Sequence, residues 1–345
     1  MKRNSQSLDL TPLLKYFKPN LVNVKNRLRL ERDPEQYPPV LPSEDQNYFR
    51  NDWAALAFRA FLGLPSHFKK KVNSFCTVGT GIGLDVLAAV EAFSPRKIYM
   101  TDLNARIAFL AKRNVLINLR KPTLLDHRKD GADIVPIGCN LFRDTAAFEN
   151  TKFDLIYENL PVLPDCNLGK ATEPYLSASF VSMDNYSGVP DLYLRNLLFS
   201  HYEFLSQARN YLTLGGAVLC NIGARVSKSV ILQMFDQLDY DTRIIVYDVK
   251  RQTEAASNLP AYHKWSCEKG VDFSFYAYDI LEEFSNLSGY DKLTGMAPFC
   301  GDGSVEKILG DRRLSLVDAF DRQQRRNMPV AHEVLTILGI PRKQV

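Results

Sequence analysis

The chain is poor in the residue types that mark several specialised classes of protein. It has six cysteines, none spaced as Cys-x-x-Cys, and five histidines without ligand spacing, so neither a disulfide scaffold nor a metal site is expected. No apolar run reaches the roughly 18 residues of a membrane helix. The net charge of +4 is too small to indicate nucleic-acid binding by itself. What is present, 46% hydrophobic and 24% charged residues, is typical of a globular protein with a sizeable core.

The amino-terminal sequence and the cysteine positions indicate in which cellular compartment the protein is expected. The first 20 residues are polar, contain two prolines and lack the apolar stretch of a signal peptide. Cys76, Cys139 and Cys220 fall in apolar segments, which favours reduced thiols in the core. We therefore expect a soluble, cytoplasmic protein. Two basic clusters, residues 69–71 and 312–326, are interpreted as solvated faces rather than nucleic-acid patches.

The middle of the chain alternates apolar strand patterns with amphipathic helix patterns. The predicted strands are residues 73–78, 97–101, 134–137, 153–157, 217–222, 242–249 and 271–278. The predicted helices are residues 51–64, 84–93, 105–119, 192–212 and 226–238. This alternation predicts an α/β fold with a doubly wound, mostly parallel, seven-stranded sheet. A loop without helical pattern precedes the final strand, which we therefore expect to be antiparallel.

The alternation also predicts how the chain is divided. A helical amino-terminal region covers residues 1–70, the main domain covers residues 71–280, and a helical extension covers residues 281–345. Residues 184–191 lie in a long segment without clear periodicity, which is often functional. We expect this segment to be a lid.

A glycine-rich turn follows the first predicted strand. Residues 78–83 read VGTGIG, and glycines let the backbone turn sharply and approach a ligand closely. Asp102 ends the second strand, 19 residues after Gly83, where a carboxylate can accept both ribose hydroxyls of an adenosine. The alternatives are a plain turn in a generic α/β protein and a dinucleotide dehydrogenase, whose motif needs glycine where Leu84 stands.

Two further motifs are CNLF at residues 139–142 and ENLP at residues 158–161. Together with the glycine-rich turn and Asp102, they resemble the class I S-adenosylmethionine-dependent methyltransferases over about residues 70–280. The resemblance implies S-adenosyl-L-methionine as cofactor, S-adenosyl-L-homocysteine as product and no metal. The cofactor-binding residues that it implies are Gly79, Thr80, Gly81, Gly83, Asp102, Leu103, Asn140, Leu141 and Asn159. The glycines would line the methionine part, Asp102 would hold the ribose, and Asn140 would reach the adenine edge.

Two positions depart from the family pattern. Thr77 stands where the family usually has an acid that opens the glycine motif, which leaves open how the cofactor amine is held. Val162 stands at the aromatic position of the Asn-Pro-Pro-Tyr motif of amino-methylating members. Stacking on a planar acceptor would then be lost, at roughly 1–3 kcal/mol per base. This counts against adenine or glutamine as the acceptor.

Segments later in the chain resemble particular groups within this family. Residues 212–225, 247–257 and 272–278 look like the catalytic domain of methionine S-methyltransferases and, more distantly, like the glutamine amide methyltransferases of release factors. A thioether has no proton to lose, so its methylation requires no general base. The acceptor expected on this basis is a small amino-acid-like molecule, best methionine, giving S-methylmethionine.

Such an acceptor needs groups for its carboxylate, ammonium and sulfur. The residues expected to be catalytic are Tyr157, Glu158 and Asn159, and those expected to bind substrate are Tyr186, Arg225, Tyr247 and Arg251. An arginine would pair with the carboxylate, Glu158 or carbonyls near Asn159 would hold the ammonium, and the tyrosines would face the sulfur through cation–π attraction. The histidines are interpreted as structural or surface residues, with His263 the best exception.

Two other functions stay open at this point. One is N-methylation of a protein glutamine amide, an amine metabolite or a nucleobase. The other is a non-catalytic cofactor-binding or scaffold protein that has lost its acceptor site. We expect a small-molecule partner rather than a membrane or nucleic acid, and self-association into a homo-oligomer stays open.

Overall fold

The computed structural model describes most of the chain from Trp53 onward. The described residues are 53–119, 133–143, 145–164, 180–183, 186, 188–252, 255–280, 283, 309–310 and 312–342. The strands are β1 (Ser74–Val78), β2 (Lys97–Asp102), β3 (Asp133–Gly138), β4 (Phe153–Glu158), β5 (Leu163–Pro164), β6 (Phe180–Val181), β7 (Leu212–Ala224), β8 (Tyr240–Arg251), β9 (Phe275–Ala277), β10 (Arg313–Leu314) and β11 (Val330–Pro341). The helices are α1 (Trp53–His67), α2 (Leu84–Phe93), α3 (Ala105–Leu119), α4 (Asp191–Arg195), α5 (Phe199–Ala208), α6 (Lys228–Gln237), α7 (Ala255–Lys269) and α8 (Leu316–Arg326). The region predicted as residues 1–70 thus lies mostly outside the described residues.

One large sheet organises these elements. Its order is β3-β2-β1-β4-β7-β11, with β8 on the other side of β11. Strands β1 to β4 pair in parallel and β7 pairs in parallel with β4, whereas β11 is antiparallel to both β7 and β8. The short strands β9 and β10 extend the sheet beside the start of β11. The predicted fold class, an α/β fold with a doubly wound and mostly parallel sheet, is confirmed, but the described part of the sheet has nine strands rather than the expected seven.

Residues 271–278 do contain an antiparallel strand, as predicted, but the long antiparallel strand lies elsewhere. Residues 271–278 form only the three-residue β9, and the long antiparallel strand is β11, inside the stretch predicted as a helical extension. Strand β11 is buried along nearly its whole length because it lies between β7 and β8. A strand covered on both faces has a continuous apolar sequence rather than an alternating one, so its pattern resembles a buried helix.

Two further elements differ from the sequence prediction. The single helix expected over residues 192–212 is divided into α4 and α5, and β7 begins before the two glycines that were expected to precede it. Gly215 has a φ of +71°, where the β4–β7 register shifts. The loop expected before the last strand is instead helix α7, which contains Pro260.

The helices cover the two faces of the sheet and create two hydrophobic cores. Helices α1, α2 and α3 pack on one face, and α5, α6 and α7 pack on the other. Cys76, Cys139 and Cys220 are free and buried in these cores, as expected. No helix among the described residues is both long and apolar enough to cross a membrane.

Candidate functional site

The glycine loop connects the carboxyl end of β1 to helix α2. Gly79, Gly81 and Gly83 have φ angles of +74°, +53° and +87°, a region that favours glycine because other residues are strained there. A Cβ atom on Gly83 would lie 3.1 Å from the carbonyl oxygen of Ala111 in α3. The amide of Gly79 donates to the carbonyl of Thr101, 2.9 Å away, which ties the loop to β2. The glycines therefore permit both the turn and its close packing.

Asp102 faces this loop from the end of β2. Its Oδ2 accepts the Gly81 amide at 3.2 Å, and its Oδ1 accepts the Asn104 amide at 3.1 Å. Burial raises the pKa of Asp102, although the two amides favour its ionised form. The adjacent Leu103 is 68% exposed. An oriented carboxylate beside an exposed apolar side chain suits a ribose with an attached base.

The turn after β3 lies next to Asp102. Asp102 pairs with Gly138 across the two strands, and its carbonyl accepts the Cys139 amide at 2.9 Å. Asn140 follows and is half-buried, while Leu141 is buried with a φ of +54°. The structure therefore brings the ends of β1, β2 and β3 together as the sequence predicted.

Two observations describe the surroundings of the glycine loop. The Thr80 hydroxyl oxygen is buried and has no hydrogen-bond partner among the described residues. A Cβ atom on Gly79 would lie 3.3 Å from Leu160 and 3.7 Å from the carbonyl oxygen of Asn159. The loop after β4 therefore meets the glycine loop, and Asn159 lies at their junction. These residues fit the amino-acid end and the adenosine of S-adenosylmethionine.

Glu158 does not face an acceptor. Its side chain is fully buried, its Oε2 accepts the Leu160 amide at 3.0 Å, and its Oε1 lies 2.8 Å from Nδ1 of His201. Both carboxylate oxygens thus have partners inside the protein. The expectation that Glu158 holds an acceptor ammonium is corrected: Glu158 links α5 to the Asn159 loop.

The buried pair of Glu158 and His201 predicts a large effect of substitution on the free energy of unfolding. We expect His201→Leu to lower the free energy of unfolding by about 3 kcal/mol, because Glu158 is left with an unpaired buried oxygen. Urea unfolding at neutral pH measures the change. Tyr202→Phe is the matched control on the same helix, since the Tyr202 hydroxyl has no hydrogen bond among the described residues. Its expected change is within about 0.5 kcal/mol. Equal effects of the two substitutions would contradict the role of the pair.

Tyr157 lies on the opposite face of the sheet from Glu158. It is 2% exposed, its ring lies 5.2 Å from that of Phe61 in α1, and its hydroxyl accepts from Asn221 at 2.8 Å. Successive residues of a strand point to opposite faces, so Tyr157 is part of the core under α1. The expectation that it faces the acceptor sulfur is corrected.

The other predicted tyrosines lie in the core on the α5 and α7 face. Tyr186 is 4% exposed and packs against Phe199. Tyr247 is 1% exposed and donates to Glu333 at 2.5 Å. The structure does not bring Tyr157 together with Tyr186 or Tyr247, so the three do not form one aromatic wall.

Arg225 follows β7 and is almost fully buried, at 6% exposure. Its Nε and Nη2 donate to Gln252 Oε1 at 3.0 and 2.7 Å, and Nη2 lies 2.8 Å from Nε2 of His332. Its guanidinium lies over the ring of Tyr262, 5.0 Å from the centroid. Burial lowers the pKa of Arg225. No carboxylate forms an ion pair with Arg225 among the described residues.

The remaining predicted residues make other contacts. Arg251 ends β8 and lies 5.7 Å from the ring centroid of Tyr278. His263 was expected in a loop near the acceptor, but it is exposed on α7 beside Phe320. Of the predicted lid, residues 184, 185 and 187 lie outside the described residues.

Sequence reasoning interpreted His201 and His332, like the other histidines, as structural or surface residues, and it missed their partners Glu158 and Arg225. Burial lowers the pKa of His332 well below its ordinary value, and the neighbouring Arg225 lowers it further. The sequence signal for both was an isolated histidine among apolar residues, which identifies burial but not the partner. No cluster of three or more potential metal ligands is found in the described part of the chain.

Comparisons with known proteins find likeness in structure only. No protein-family model and no curated protein matches the chain. A ribosomal protein L11 methylase from Lactobacillus delbrueckii is 17% identical, with 55% of this chain and 69% of that chain covered and a TM-score of 0.34. The YcgJ protein from Bacillus subtilis is 10% identical (83% and 98% covered, TM-score 0.41), and a methyltransferase from Pyrococcus furiosus is 14% identical (70% and 90% covered, TM-score 0.38). At these values the likenesses assign neither a family nor an activity to the chain.

Proposed function

We propose that the protein is an S-adenosylmethionine-dependent methyltransferase. The observation that carries this proposal is the Asp102 carboxylate, which the Gly81 and Asn104 amides orient toward the glycine loop at the carboxyl edge of the parallel strands. Ligands of open α/β sheets bind at this edge. The exposed side chain of Leu103 beside Asp102 offers an apolar surface for the adenine.

Different residues of the chain bind different parts of the cofactor. Asp102 accepts the ribose hydroxyls, Asn140 and Leu141 border the adenine, and the backbone of the glycine loop lies along the amino-acid end. The bound cofactor supplies a methyl group on a sulfonium. The protein's own contribution to transfer is to align an acceptor beside Asn159 and to exclude water.

We further propose a small amino-acid-like acceptor, with the methionine thioether preferred. Arg225 supports an acceptor that carries a carboxylate, because its partners, Gln252 and His332, are both neutral groups. Glu158 pairs with Cys220 across β4 and β7. Arg225 lies five residues after Cys220, or about 16 Å further along the strand direction. Its guanidinium folds back against Gly223, which shortens the span that an acceptor has to bridge.

Amide or amine N-methylation is the second candidate. The Asn159 loop, which adjoins the glycine loop, favours it, since an asparagine can hold a planar amino group. Val162 counts against it, because this half-buried side chain packs on the core and provides no ring for stacking.

The basic clusters support a small-molecule acceptor over nucleic acid. A cationic surface that binds phosphates needs charges that are not neutralised by the protein itself. Among the described residues, ion pairs involve five of the eight basic side chains of these clusters: Lys70 with Asp154, Arg312 with Glu283, Arg313 with Asp272, and Arg325 and Arg326 with Asp321.

The test is transfer of label from methyl-labelled S-adenosylmethionine to a panel of acceptors. The panel contains methionine, other thioethers, amines, a release-factor peptide and RNA. We expect label on methionine, and much less of it with the Asp102→Asn variant at a limiting concentration of S-adenosylmethionine. Label on the peptide or RNA alone would overturn the acceptor, and no binding of S-adenosylmethionine or S-adenosylhomocysteine would overturn the methyltransferase itself.

A further inference from the structure

Helix α2 begins with an unusual buried acid. Asp85 is 9% exposed in the first turn, where its carboxylate accepts hydrogen bonds from the Thr77 hydroxyl and from the Val86 amide, the latter at 2.9 Å. No lysine, arginine or histidine among the described residues pairs with it. A buried carboxylate without a cation is costly, so a compensating charge is expected when a ligand occupies the site.

The position of Asp85 links it to the glycine loop. Thr77 is the penultimate residue of β1, and its carbonyl accepts the Thr101 hydroxyl of β2 at 3.2 Å. The hydrogen bond between Thr77 and Asp85 therefore joins the strand before the loop to the helix after it. An acid is thus present beside the loop although position 77 itself is a threonine.

We propose that Asp85, oriented by Thr77, supplies the negative charge that balances the ammonium group of bound S-adenosylmethionine. The proposal rests on the proposed function, because it assigns the amino-acid end of that cofactor to this side of the loop. In the proposed function Asp102 binds the ribose, so each of the two carboxylates binds a different part of the cofactor.

Among the described residues, no cation is paired with Asp85, and the titratable groups that interact with it are a thiol and a second carboxylate. From β1 comes the Cys76 thiol, and from β2 comes Asp102, whose negative charge disfavours ionisation of Asp85. In α1, which packs against α2, the buried Arg59 forms an ion pair with Asp248 of β8. The α3 residues that contact the loop beside Asp85 are uncharged: Ala111, Asn114 and Val115.

Burial raises the pKa of Asp85 to about 7, and Asp102 contributes to the rise. An ammonium group placed nearby favours the ionised form and lowers that pKa. The ligand then binds with release of a proton from Asp85 to solvent below neutral pH, so its affinity falls as the pH drops through this value. Above neutral pH the carboxylate is already ionised and the affinity levels off.

The experiment compares two ligands by titration calorimetry on the full chain. S-adenosylhomocysteine carries the ammonium, whereas 5′-methylthioadenosine has the same adenosine but no amino-acid end. We expect the affinity for S-adenosylhomocysteine to rise about tenfold between about pH 6 and about pH 8. The affinity for 5′-methylthioadenosine should stay flat apart from any contribution of Asp102, which both ligands share.

Two variants sharpen the test. Asp85→Asn should remove the difference in pH dependence between the two ligands. The matched control is Asp154→Asn, which alters another largely buried carboxyl, bonded to the amides of Asn73 and Ser74 at the opposite edge of the sheet, and should leave the difference intact. Identical pH dependence for both ligands with the wild-type protein would overturn the role of Asp85 alone. Failure of both ligands to bind at any pH would overturn the proposed function.

Discussion

Replacing Asp102 with asparagine should weaken the binding of S-adenosylhomocysteine about a hundredfold. Two hydrogen bonds from ribose hydroxyls to a charged acceptor contribute about 3 kcal/mol together, and about 1.4 kcal/mol corresponds to a tenfold change in affinity. Asparagine keeps one oxygen for an amide donor but loses the charge and the second acceptor. Titration calorimetry above neutral pH, where Asp85 is ionised, measures the change.

Asp133→Asn is the matched control for this prediction. Asp133 is an exposed carboxylate at the opposite end of β3, so its replacement should not change affinity. Because Asp102 also accepts the Gly81 and Asn104 amides, the melting temperature of both variants has to be compared. An Asp102→Asn protein with unchanged affinity would contradict the position assigned to the ribose.

The glycine loop and Asp102 could be predicted because their signals are local. Sharp turns with positive φ require glycine at particular positions, and the adjacent strand patterns fix where the loop stands. Helices α2 and α3 were predicted with the bounds that the structure shows, since each is a single amphipathic segment between clear breaks.

Strand β11 and helix α7 could not be predicted by the same reasoning. Strand β11 joins the sheet between β7 and β8, although it is distant from both in sequence. A local sequence pattern does not indicate which strands will pair. Helix α7 contains Pro260 and has a weak apolar stripe, so it resembled a loop. Tertiary packing determines both elements.

The acceptor side was predicted less well because it depends on faces and distant partners. Tyr157 and Glu158 are neighbours in sequence, yet strand alternation places them in different cores. Glu158 and His201 are 43 residues apart, and Arg225 and His332 are 107 residues apart. The residue types were visible in the sequence, but only the fold decides which of them meet.

Replacing Gly138 with alanine should both destabilise the protein and weaken cofactor binding. A Cβ atom on Gly138 would lie 2.6 Å from the Cα of Ala105, where α3 begins. Backbone cannot yield as a flexible side chain can, so we expect a loss of about 3 kcal/mol in the free energy of unfolding. Asn104, whose side chain accepts the Arg106 amide at 2.9 Å, would move with α3 and disturb Asp102.

Gly310→Ala is the control for this substitution, because a Cβ atom there would meet no atom of the described residues within 4 Å. Its expected change in unfolding free energy is within about 0.5 kcal/mol, with unchanged affinity for S-adenosylhomocysteine. Urea unfolding and calorimetry on the same samples separate the two effects. The contradicting outcome is a Gly138→Ala protein that loses stability but binds the ligand with normal affinity. A displacement of α3 would then not reach Asp102, and the predicted coupling between helix packing and the ribose site would be wrong.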